Sequence, residues 1–145
     1  MIGCDIGGVV RNLIDDSPIK DSITTLNQLN NRDYKVYFIS KCKDSYRHNV
    51  QNWLLLNGLE HFQTFFCLNY DDKIEIALKL SVNIMIDDKI QVLRTFGGNF
   101  LKIWLCSDTK RISGLEKFQP ELFSTISIAH DWKEVALLIR EYQIQ

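Results

Sequence analysis

The chain has 145 residues, a formal net charge of -1, 46% hydrophobic residues and 24% charged residues. That size suits one domain, read here as spanning 1–145, with enough chain to bury a core. The composition excludes a disordered polyelectrolyte, and the near-neutral charge excludes a global basic field for nucleic acid while leaving local patches open.

Strand and helix patterns alternate from end to end. Ile2 to Ile6 is a short apolar run closed by Gly7-Gly8, which predicts a buried strand ending in a turn. Asp21-Ser22 can cap a helix that carries Ile23, Leu26 and Leu29 on one face. Tyr34 to Ile39 is rich in β-branched and aromatic residues, a strand pattern. Ser45 to Leu56 reads as a helix stopped by Asn57-Gly58, and Phe62 to Leu68 as a strand. Asp71-Asp72 opens a helix through Leu80, and Val82 to Ile86 is a strand ending at Asp87-Asp88. Ile90 to Phe96 is a short helix stopped by Gly97-Gly98, and Phe100 to Cys106 a strand. The stretch from about Ser107 to Ser124 reads as irregular. Asp131 to Tyr142 is a closing helix with Trp132, Val135, Ala136 and Ile139 on one face. Continuous apolar strands separated by helices predict an α/β three-layer sandwich around a Rossmann-like parallel sheet of about five strands.

No apolar run is long enough to cross a membrane, and the opening Met1-Ile2-Gly3-Cys4-Asp5 lacks the basic segment of a secretory leader. A cytoplasmic protein without a membrane partner is expected. Cys4, Cys42, Cys67 and Cys106 form no C-x-x-C pair and no zinc-spaced cluster, and read as reduced thiols in or near the core.

In such a sheet, ligands bind off the carboxyl ends of the strands. The first strand is followed by Asp5 and Gly7-Gly8, the second by Ser40 and Lys41, the fourth by Asp87 and Asp88. Lys73 stands on the first turn of a helix that begins near the same edge. Carboxylates suit Mg²⁺, a hard ion that takes oxygen ligands. A lysine and a hydroxyl suit phosphoryl oxygens, and a carboxylate can act as the nucleophile. Each element has a simpler reading. Asp5 could be a turn residue, Asp87-Asp88 a helix cap, Ser40 an ordinary strand-end serine, and Lys79 a rival to Lys73 in mid-helix. His48, His61 and His130 have no spacing suited to a metal or a triad, and Trp53 and Trp132 read as core anchors.

The ordered set resembles the haloacid dehalogenase-like superfamily of phosphohydrolases. Asp5-Ile6-Gly7-Gly8-Val9 is similar to its first motif, the strand ending at Ser40 to its second, and the run from Lys73 to Lys89 to its third and fourth. The stretches from Ser40 to Leu54 and from Ala129 to Val135 resemble its nucleotidase-like branch. The resemblance implies a Mg²⁺-dependent phosphomonoesterase acting through an aspartyl-phosphate on a nucleotide, a small phosphate ester or a phosphorylated macromolecule. Asp5 would be the nucleophile. Ser40, Lys73 and Lys41 would bind phosphate. Asp5, Asp87, Asp88 and the Gly7 backbone carbonyl would hold the metal.

The second aspartate of the first motif, the family's general acid and base, is Gly7 here. Losing such a group costs on the order of 10²–10⁴-fold. Asp15 or Asp16 could substitute. A catalytically weakened protein that binds a phosphorylated ligand or partner is the alternative that Gly7 favours, and a transferase using the same phosphoenzyme is a third reading. There is no room for a cap domain after the first motif or between the second and third. An uncovered site would admit a macromolecule or be closed by a second copy in a homo-oligomer. Lys41, Lys43, Arg47 and His48, near this rim, read either as a solvated face or as a hold for a second phosphate or a polynucleotide backbone.

Overall fold

Side-chain alternation along the strands decides the architecture. In β2 (Val36–Lys41), Val36 and Phe38 join one apolar cluster while Tyr37 and Ile39 join another. In β4 (Ile84–Asp87), Ile84 and Ile86 go with the first cluster and Met85 with the second. Strands that are apolar on both faces need cover on both faces. A computed structural model, which describes residues 1–32 and 34–144, shows how that cover is provided.

A single six-stranded sheet, parallel throughout, runs in the order β3-β2-β1-β4-β5-β6. Its other strands are β1 (Ile2–Cys4), β3 (Gln63–Cys67), β5 (Leu101–Leu105) and β6 (Ser127–Ala129). On one face lie α1 (Ser22–Asn30), α2 (Arg47–Leu56) and α7 (Trp132–Ile144). Their Leu26, Leu29, Val50, Trp53, Leu54, Trp132, Val135 and Ile139 pack with Ile2, Cys4 and Phe38. On the other face α3 (Asp71–Lys79), α4 (Ile90–Leu93) and α5 (Thr109–Phe118) contribute Ala77, Val92, Leu93 and Leu115. This is the three-layer α/β sandwich expected from the alternation. Trp53 and Trp132 are buried.

The differences lie at ends and short elements. The sheet has six strands and not about five, because β6 is only three residues long, too short to show a period. The segment expected to be irregular folds as α5 and a single turn, α6 (Pro120–Phe123). Asp108 caps α5, its carboxylate accepting from the Lys110 and Arg111 amides. Asp21 does not cap α1 through its side chain and sits instead at a φ of 65°. Tyr70 is the N-cap of α3, and the Asn69 carboxamide accepts from the Asp72 amide. Helix α4 stops at Leu93, short of Phe96 and the two glycines. All four cysteines are buried and unpaired. No helix among the described residues is long and apolar enough to cross a membrane.

Candidate active site

The order in which strands are added reverses at β1. The chain steps from β1 to β2 to β3 on one side, then returns to lay β4 against the other side of β1. Such a switch point opens a crevice at the carboxyl ends of the two central strands. Here Cys4 is in register with Ile86, and the Asp5 amide donates to the Ile86 carbonyl at 3.0 Å. Asp5 and Asp87 therefore emerge side by side, both turned toward the face that carries α3.

Lys73, on the first turn of α3, fills the space between them. Its Nζ lies 3.1 Å from Asp5 Oδ1 and 3.0 Å from Asp87 Oδ2. All three groups are buried, at 1% exposure for Lys73, 5% for Asp5 and 0% for Asp87. One ammonium faces two carboxylates, so the cluster is one positive charge short. Burial pushes Asp87 up to about 8, with help from the Asp5 charge and against Lys73. Asp5 is raised for the same first reason, burial, again against the pull of Lys73. Burial alone would lower Lys73, but the two carboxylates override it and hold the ammonium above its ordinary range. Lys79, the rival in mid-helix, is exposed.

Asp88 completes a triad. Carboxylate oxygens of Asp5, Asp87 and Asp88 all lie within 4.8 Å of one another. Asp87 Oδ1 accepts from the Lys89 amide at 3.0 Å, and Lys89 Nζ stands 3.7 Å from Asp88 Oδ2. Asp88 Oδ1 is buried and makes no hydrogen bond to a described residue. A buried carboxylate oxygen without a partner is costly, and a bound cation would offset that cost. Gly8 has a φ of 80°, and a Cβ there would overlap the Asp88 carboxylate, so only glycine lets the first loop approach the triad. Three hard oxygen donors this close together form a set that could hold a metal ion.

A cleft of about 530 Å³ opens beside this cluster, over the ends of β1, β2 and β3. It is lined by Asp5, Gly7, Ser40, Lys41 and Lys73, so the structure gathers these residues at one rim as the strand ends imply. Ser40 is buried, whereas Lys41 is exposed and lays its ammonium 4.4 Å from the centre of the Tyr70 ring. Asp15 and Asp16 part company. Asp15 is exposed, accepts from the Ser17 hydroxyl and amide, and is held below the usual carboxylate range by those bonds. Asp16 lines the cleft and pairs with Arg11, Nε to Oδ1 at 3.0 Å. His48, His61 and His130 are exposed, and the last two bond Asn27 and Glu134.

Sequence reasoning missed Arg11. It is 6% exposed, yet it lines the cleft. Its guanidinium bonds Asp16 and Asn49 and stands 5.5 Å from the Trp53 ring centre. The available hint was a lone arginine closing the apolar turn Gly8-Val9-Val10. The tryptophans were also assigned too little. Trp53, Trp104 and Trp132 donate their indole N–H groups to the backbone carbonyls of Asp16, Asp88 and Val9. Each thereby ties a loop of the site to the core.

No family model matches the chain. The chain is similar to a Bacillus cereus protein described as "Putative nucleotidase", 23% identical over 90 residues, which is 61% of this chain and 48% of the relative. The chain thus spans about half the length of that curated relative. Among solved structures, an uncharacterized protein from Listeria monocytogenes serotype 4b superposes with a TM-score of 0.69 at 15% identity, covering 99% of this chain and 98% of that one. That likeness is one of fold.

Proposed function

We propose that the protein is a Mg²⁺-dependent phosphomonoesterase that works through an aspartyl-phosphate on Asp5. The observation that carries this reading is the position of Lys73, bridging Asp5 and Asp87 at the switch point with Ser40 beside them. The relative described as a nucleotidase supports a nucleotide or another phosphate ester as substrate.

Asp5, Asp87 and Asp88, with the Gly7 carbonyl, would hold the ion, which would neutralise charge on the incoming phosphate. Two N–H groups of Lys73 are taken by carboxylates, leaving the third for a phosphoryl oxygen. By holding the Asp5 carboxylate still, Lys73 also orients it for attack. A bond forms between an Asp5 oxygen and phosphorus as the ester P–O bond breaks, and the departing oxygen takes up a proton. Water then attacks phosphorus, inorganic phosphate leaves, and the Asp5 carboxylate is regenerated. The site's weak point is the proton. Gly7 has no acid to give, Asp15 is exposed and does not line the cleft, and Asp16 is the carboxylate there besides Asp5.

The test is p-nitrophenyl phosphate hydrolysis with Mg²⁺. Wild type is expected to turn over and Asp5→Asn to lose at least about 10³-fold; equal rates would falsify the reading. A second reading, a weakened protein that retains a phosphorylated ligand, is favoured by Gly7 alone. It predicts no turnover but tight binding of the same esters.

A further inference from the structure

The cleft is larger and more cationic than one phosphoryl group requires. At about 530 Å³ it falls within the range of small-molecule sites, so most of it is left for the rest of the substrate. Five cations line it, Arg11, Lys41, Lys43, Lys73 and Lys89, against only Asp5 and Asp16. Lys73 is committed to Asp5 and Asp87, and Lys89 to Asp88. Among the described residues, neither Lys41 nor Lys43 has a carboxylate within 4.0 Å. Lys41 is stationed on the Tyr70 ring, itself part of the cleft wall.

Arg11 adds a fixed donor to these mobile ones. Its Nε and Nη1 are tied to Asp16 and Asn49, both at 3.0 Å, which sets the plane of the guanidinium. Its Nη2 makes no bond to a described residue. An arginine held this rigidly has lost its side-chain entropy before any ligand arrives, and its planar fork matches phosphate oxygens. Tyr46 and Leu68 supply an apolar wall for a sugar or a ring between two anionic groups.

We propose that this outer part of the cleft binds a second phosphate of the same substrate, through Arg11, Lys41 and Lys43. The preferred ester then already carries another phosphate, as in a nucleoside bisphosphate or the phosphorylated end of an oligonucleotide. The inference rests on the phosphatase reading for its scissile group, but its test does not need turnover.

Binding to the Asp5→Asn protein in Mg²⁺ is measured by titration calorimetry for adenosine 5′-monophosphate, adenosine 3′,5′-bisphosphate and a 5′-phosphorylated dinucleotide. The bisphosphate is expected to bind at least about tenfold tighter than the monophosphate, with an advantage that shrinks as salt is raised. In D5N/K41A/K43A that advantage falls below about threefold, and Arg11→Lys, which keeps charge but loses the fork, reduces it partway. A dinucleotide that matches the bisphosphate assigns the site to polynucleotide ends, and a weaker one assigns it to free nucleotides. Equal affinity for all three ligands, no binding at all, or an advantage untouched by the lysine and arginine changes overturns the proposal. Wild-type protein that hydrolyses none of the esters overturns the phosphatase reading instead, and leaves the binding comparison standing.

Discussion

The inner and outer ends of the cleft are built from the same kinds of charge under opposite conditions. At the inner end, Lys73 and Asp5 are buried, and Lys73 is held to Asp5 and to the buried Asp87 by contacts of 3.1 and 3.0 Å. At the outer end, apart from the buried and tied Arg11, the cations Lys41 and Lys43 are exposed, and Leu13, at 66% exposure, and Tyr46 stand open to water. Buried charges interact strongly and cannot move, which suits holding a nucleophile in line with phosphorus. Exposed charges are screened and adaptable, which suits choosing among ligands. The proposed chemistry and the proposed selection would thus occupy different dielectric environments within one cavity.

The largest break in that comparison comes from Lys73→Met. It leaves two buried carboxylates with no cation, which costs about 3–5 kcal/mol where the pair cannot protonate. Turnover is expected to fall about 10²–10³-fold from the lost phosphoryl contact. Steady-state rates, read beside thermal unfolding in Mg²⁺, separate the two effects. A variant that keeps both its rate and its melting temperature would show that the inner end is not the reacting end.

Gly7→Asp should sharpen the contrast by moving an acid inward. A Cβ at Gly7 meets only Leu13, at 3.2 Å from Cδ2, and Leu13 is an exposed, flexible side chain that can yield. Hydrolysis of alkyl phosphates, whose leaving oxygen needs a proton, is expected to rise about tenfold, with much less gain for p-nitrophenyl phosphate. No gain with either ester would mean that protonation does not limit the natural chain.

The smallest effect is on stability against pH. With burial raising Asp87 to about 8 from an ordinary 3.8, the metal-free folded state is expected to hold a proton that the unfolded chain releases. Folding therefore takes up a proton in this window, and stability should decline as pH rises from about 4 to about 8. Asp87→Asn removes that contribution, so the melting temperature of the variant should decline less over the same range. Parallel curves for the two proteins would place the excess charge elsewhere.

How much of this could be read in the sequence depended on whether a residue's role is local. The positions of Asp5, Ser40, Asp87 and Lys73 were legible because each stands at or just past an end of an element with a clear period, Ser40 and Asp87 within the last residues of their strands and not after them, and parallel sheets open at carboxyl ends. The sandwich was legible for the same reason. Strand β6 and helix α5 were not. The first is too short to show a period, and the second has Gly114 in mid-helix and a single buried residue, Leu115. Asp21 failed as a cap because the loop enters α1 through a left-handed residue. Arg11 was invisible because its partners, Asp16 aside, come from α2, which neighbours it only in the folded chain.

The three indole bonds have a use beyond holding loops. Trp53, Trp104 and Trp132 are the only tryptophans in the chain, and all three donate to carbonyls of the loops that carry the site. Indole emission shifts with the polarity and hydrogen bonding around the ring, so the native fluorescence of this protein is a built-in optical record of its loops. An ion held by Asp88 and Asp5 would bear on the residue whose carbonyl Trp104 bonds, and a ligand on Arg11 would load the guanidinium above Trp53.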